Sequence, residues 1–143
     1  MGGSLHESSS FANAIFRYTH MFSAVFRDCK LLGASFEEAA TSGFAIHGGD
    51  WSYTNLRYQS LRGQNLHKVK LAHADLYGCN LERAILRDAD LEHAILGEVK
   101  LTGADLRGAN LEGVDLRLLD LKGVRIDLAQ AIAFARAFGA QVE

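Results

Sequence analysis

The chain has no proline, two cysteines and a single tryptophan among its 143 residues. Without proline every backbone N–H stays available for hydrogen bonding, which suits a fold whose main chain forms a repeating ladder and argues against long rigid linkers. Two cysteines, Cys29 and Cys79, are too few to staple a small secreted scaffold. An excess of charge of either sign is also missing: 15 Lys and Arg stand against 17 Asp and Glu, a formal charge of −2. Bulk charge therefore points neither to nucleic-acid binding nor to strong acidity, and any electrostatic role must come from charge placement. No apolar run reaches the roughly 18 residues of a membrane span, and the start has neither the basic nor the apolar stretch of a secretory signal. The expectation is a cytoplasmic protein with no membrane partner. Residues 1–10, which run Met-Gly-Gly-Ser and end on Ser8 to Ser10, read as a flexible lead-in or expression remnant.

What the chain does have is a period of five. From Phe11 the apolar positions are Phe16, Met21, Phe26, Leu31, Phe36, Ile46 and Trp51, then leucine at every fifth residue from Leu56 to Leu121, closing at Ile126. Only Thr41 breaks the series of twenty-four. Two residues before each, the side chain is usually small, as at Ala74, Cys79, Ala84, Ala89, Ala94, Val99, Ala104, Ala109 and Val114, with Gln64 and Leu119 among the exceptions. Between them stands Asp or Asn at 55, 65, 75, 80, 90, 105, 110, 115 and 120.

A step of five turns a side chain by about 140° on an α-helix and alternates faces on a strand, so neither element gives one apolar face. A chain that turns a corner every five residues does. Four pentapeptides close a coil of twenty with the leucines on the axis, and stacked coils bury what one coil cannot. Asp and Asn before the leucine fit turns in which their side chains bond nearby backbone N–H groups. The reading is all-β: a right-handed quadrilateral parallel β-helix of about six coils over residues 11–126, roughly 29 Å tall at about 4.8 Å per coil. Residues 41–50 lose the residue pattern but keep the register, which predicts a less regular coil, not a loop.

Residues 127–143 change character. Asp127-Leu128-Ala129-Gln130 resembles a capping box, Ala131 to Phe138 is helix-forming, and Gly139 supplies a stop. A short C-terminal α-helix is predicted to seal the solenoid end with Leu128, Ile132 and Ala135, leaving Phe134 and Phe138 for a partner subunit.

Sorting charges by residue number modulo twenty puts Asp75, Asp90, Glu92, Glu98, Glu112 and Asp115 on two adjacent faces, opposed between Ala74 and Gly123 by Arg117 alone, a net of −5. That acidic ridge is the candidate partner-binding surface, although several of its aspartates sit where turn geometry alone would place them. Arg27, His47, His67, Arg87 and Arg107 form a column of the opposite sign, and His73 stacks over His93 without a third ligand. No catalytic constellation, cofactor motif or metal-ligand set emerges, so neither an enzyme nor a cofactor is expected.

The pattern A-(D/N)-L-x-x, as in Ala74-Asp75-Leu76-Tyr77-Gly78 and Ala104-Asp105-Leu106-Arg107-Gly108, resembles the pentapeptide-repeat family over about residues 11–126. Val124 to Gly139 further resembles the C-terminal segment of the Qnr and MfpA quinolone-resistance group. That resemblance implies a homodimer joined through the C-terminal helix. It also implies a rod that imitates B-DNA, occupies the DNA groove of DNA gyrase or topoisomerase IV, and binds no nucleic acid itself. The other reading is a scaffold or regulatory adaptor for an unidentified protein.

Overall fold

The structure, a computed structural model, describes residues 3–143. Its backbone is a parallel β-solenoid in which residues twenty apart pair. β1 (Leu5–Glu7), β2 (Val25–Arg27) and β3 (Ala45–His47) form a parallel sheet in the order β1-β2-β3, with Phe26 between His6 and Ile46. Single bridges in the same register, from Ser10 with Lys30 to Asp105 with Arg125, carry the ladder up the column.

The corner chemistry explains the five-residue step. The carbonyl of most axial residues accepts from the N–H three residues on, as in Ala34 to Leu31 at 2.9 Å and Ala84 to Leu81 at 3.1 Å. The residue two past the axial one has a left-handed backbone in almost every repeat, for example Tyr58 at φ 60° and Gly78 at φ 67°. These are the features of a type II turn, and they favour glycine or Asn and Asp at that place. The residue before the axial one closes the other half of the corner. Asp75 Oδ1 accepts from Tyr77 N at 3.1 Å, and Asn80, Asp90, Asp105 and Asp115 accept from the residue two further on in the same way.

The axial side chains are the core: every leucine from Leu56 to Leu91 at that position is fully buried. Toward the N-terminus Phe16, Phe26, Phe36 and Trp51 replace leucine on the axis, Phe44 packs against Trp51 from the position two before Ile46, and His6 stacks on Phe26 at 5.1 Å. Residues 3–10 are therefore part of the solenoid, which corrects the expectation of a flexible lead-in. His6 falls five residues before Phe11 and continues the axial series, and Ser8 N donates to Arg27 O at 2.9 Å. Met1 and Gly2 lie outside the described residues. Residues 41–50 hold register through β3, with Thr41 buried in the axial position.

Two breaks interrupt the ladder. Among the described residues no backbone hydrogen bond or bridge joins residues 40–48 to residues 60–68. None joins 95–103 to 115–123, where the chain forms a 3-10 turn at Leu116–Leu118 and Leu119 fills the small position. The C-terminal helix α1 (Leu128–Ala137) then closes the column, and no helix is long and apolar enough to cross a membrane.

Candidate interaction surface

Each carboxylate of the acidic ridge sits where its turn places it, and most are already engaged. Asp75 Oδ2 lies 3.1 Å from Arg57 Nη1 of the preceding coil. Asp90 Oδ1 accepts from Glu92 N at 3.1 Å and from Asn110 Nδ2 at 3.2 Å. Asp115 pairs with Arg117 at 3.2 Å, and that contact lowers its carboxyl below the usual range. The Glu98 carboxylate beside Tyr77 raises the phenol. Glu92 lies 3.9 Å from the His93 ring, and Glu112 is exposed. The ridge is thus a run of carboxylates threaded with partners, not a bare stripe of negative charge.

Its aromatic content was not apparent from charge sorting. Tyr53 and His73 stack at 4.6 Å with planes 3° apart, and His73 and His93 at 5.0 Å and 25°. The Arg57 guanidinium lies 4.5 Å from the Tyr77 ring, and Arg17, over Tyr18, pairs with Glu38 at 3.0 Å. The signal available was Tyr or His recurring two residues after the axial position at Tyr53, His73 and His93. Stacked imidazoles direct their ring nitrogens along parallel planes instead of toward one point. Among the described residues no group of three or more His, Cys, Asp or Glu is placed to hold a metal ion.

Two arginines of the basic column are paired with carboxylates. Arg27 reaches Glu7 at 2.7 Å, His67 Nδ1 lies 2.9 Å from Arg87 O, and Arg107 pairs with Asp105 at 2.7 Å.

At the C-terminal end the capping box forms as expected, with Asp127 accepting from Gln130 N at 2.9 Å and Gln130 Oε1 accepting from Asp127 N at 3.0 Å. Donation from the Gln130 and Gly108 N–H groups lowers the Asp127 carboxyl. The assignment of the helix faces is corrected. Phe134, expected at a dimer interface, is 5% exposed and joins the core, whereas Leu128, expected in the cap, is 79% exposed. Ile132 and Ala135 are half-buried, and Phe138 is 67% exposed. Gln130 completes the seal: its Nε2 donates to Leu106 O at 2.5 Å and to Ala109 O at 3.1 Å, the second a carbonyl that the main chain of a further coil would have taken.

The pentapeptide-repeat family model matches this chain in eight copies over residues 52–83 and 84–123. Among solved structures, a trypsin-treated form of QnrB1, described as a plasmid-mediated fluoroquinolone resistance protein, aligns with a TM-score of 0.71 at 19% identity. The alignment covers 99% of this chain and 89% of that one. HetL, described as a pentapeptide-repeat protein involved in heterocyst differentiation regulation in the cyanobacterium Nostoc sp. strain PCC 7120, aligns at 21% identity over 87% of this chain and 73% of its own. Its TM-score is 0.30. No curated protein sequence is significantly similar. The fold is that of the first neighbour, a right-handed β-helix solenoid, and with the repeat model matching half of its length the chain belongs to the pentapeptide-repeat family.

Proposed function

We propose that the chain is a non-catalytic interaction protein of the cytoplasm. In this reading it is a four-sided rod of about six coils that pairs end to end into a homodimer through the outward face of α1. The observation that carries the dimer is the exposure of Leu128 and Phe138 on that helix, with Leu118 of the adjoining 3-10 turn 63% exposed. Three large apolar side chains at one end of a column are what a two-fold contact of the same patch would bury. The partner we infer is a type II topoisomerase, DNA gyrase or topoisomerase IV, bound through the ridge of Asp75, Asp90, Glu92, Glu98, Glu112 and Asp115 and modulating quinolone sensitivity. Support comes from the resemblance of Val124 to Gly139 and from the shared fold of the quinolone-resistance neighbour.

A second reading, an adaptor for another protein, is favoured by one observation: Asp75 and Asp115 are paired with arginines, which weakens any imitation of a phosphate backbone. A supercoiling assay with titrated protein separates the two. Inhibition at micromolar protein, lost in a ridge variant carrying Glu92→Gln, Glu98→Gln and Glu112→Gln, supports the topoisomerase. No effect on supercoiling or on quinolone-induced cleavage leaves the adaptor.

A further inference from the structure

The break between residues 40–48 and 60–68 is more than a missing ladder. In unbroken coils the axial N–H and the N–H two residues later donate to the coil above, as Leu61 does to Asn80 O and Gly63 to Glu82 O, both at 2.8 Å. Thr41 and Gly43, the equivalent residues one coil earlier, have no such acceptor. Two glutamines stand in the position two before the axial residue, which is mostly Ala, Cys, Val or Thr elsewhere, and their amides replace main-chain partners. Gln64 Oε1 accepts from Ile46 N at 2.9 Å while its Nε2 donates to Phe44 O at 2.7 Å. Gln59 Nε2 donates to Phe36 O at 3.0 Å and Ala39 O at 3.4 Å, and its Oε1 accepts from the Thr41 hydroxyl.

Gly63 reports the same separation independently. A Cβ built on it would meet nothing within 4 Å, whereas the corner glycines Gly43, Gly78, Gly103 and Gly123 would each meet the coil beneath. The result is a cleft of about 580 Å³ lined by Thr41, Ser42, Gly43, Phe44, Ser60 and Arg62, among others.

The lips of this cleft define its occupant. The lower lip offers the N–H groups of Thr41 and Gly43. The upper offers the N–H and C=O of Ser60 and the C=O of Arg62, none of them in a backbone hydrogen bond across the cleft. Groups on alternate residues along parallel edges are the pattern another strand satisfies, and an unpaired edge is a template for one. The small side chains at Ala40, Ser42, Gly43 and Ser60 leave the main chain open to approach. We propose that this cleft docks an extended segment of a partner protein by β-strand addition, with Gln59 and Gln64 as the wedges that hold it open. The cleft lies on the two faces opposite the acidic ridge, so it does not depend on the topoisomerase reading.

Amide hydrogen exchange of the free protein is the first test: Thr41 and Gly43 should exchange at least about 10-fold faster than Leu61 and Gly63. Random octapeptides displayed on phage and selected on the full chain should yield binders that slow Thr41 and Gly43 exchange. These should bind the Gln59→Ala/Gln64→Ala variant, with the small residues restored and the coils closed, at least about 10-fold more weakly. A selected peptide remade with N-methyl groups on alternate amides should lose at least about as much affinity for the wild type, a readout that does not require the variant to fold. Thr41 and Gly43 exchanging as slowly as Leu61 and Gly63, failure to select any peptide, equal binding to the closed variant, or N-methylation without effect would each overturn the proposal.

Discussion

The Arg107 guanidinium turns back on its own pentapeptide and grips both oxygens of Asp105, Nε to Oδ1 at 2.9 Å and Nη2 to Oδ2 at 2.7 Å. The same carboxylate accepts from Arg107 N at 3.2 Å, so one side chain caps the turn and anchors the ion pair.

That arrangement gives a pH prediction. The Arg107 contact, with help from its backbone N–H and from the Arg125 charge, lowers the Asp105 carboxyl from 3.8 to about 2. A carboxyl depressed on folding adds stability that is complete above its unfolded value and is lost as the pH falls from 3.8 toward about 2. Urea denaturation should show Asp105→Asn to be less stable than wild type by about 1–2 kcal/mol at pH 7. The difference should shrink as the pH falls through that window, and a constant difference down to pH 2 would refute the assignment.

Leu86 and Leu91 are fully buried on the axis. Leu86→Ala should destabilise by about 2–4 kcal/mol, and Leu86→Asp or Leu91→Asp should abolish the native far-ultraviolet dichroism because an unpaired carboxylate would then lie in the core. A melting temperature unchanged in either Asp variant would contradict the axial placement.

The thiols should be inert. Cys29 and Cys79 are free and buried, and burial pushes Cys79 up to about 12 while its Sγ donates to Leu56 O at 2.8 Å. Ellman's reagent should titrate neither thiol in the native protein and both after denaturation. Rapid reaction of Cys79 in the folded state would count against this packing.

The two faces of α1 predict opposite phenotypes. Leu128→Glu with Phe138→Glu should leave a folded chain that sediments at 15.6 kDa instead of twice that mass. Phe134→Ala, by contrast, should cost about 3–4 kcal/mol of stability. A wild-type mass of one chain at tens of micromolar would remove the dimer.

The repeat was legible because the period is a property of the chain itself. A leucine every fifth residue, a small residue two places before it and Asp or Asn between them admit only a chain that turns at each repeat. One wedge left a trace too, since Gln64 stands out against that pattern, as does Thr41 on the axis beneath it. The effect of the wedges did not, because an amide that replaces a backbone partner is defined by the coil beneath it. The N-terminal residues were hidden by composition: glycine and serine suggest a loose lead, yet pairing with Val25–Arg27 orders Leu5–Glu7. The faces of α1 were decided only in the tertiary structure. Apolar residues lie on two sides of that helix, and its rotation is fixed by Gln130 reaching Leu106 O and Ala109 O, which turns Phe134 inward and Leu128 out. Sequence set the five-residue register through local turn chemistry, whereas contacts between coils decided which side chains remained free to meet another molecule.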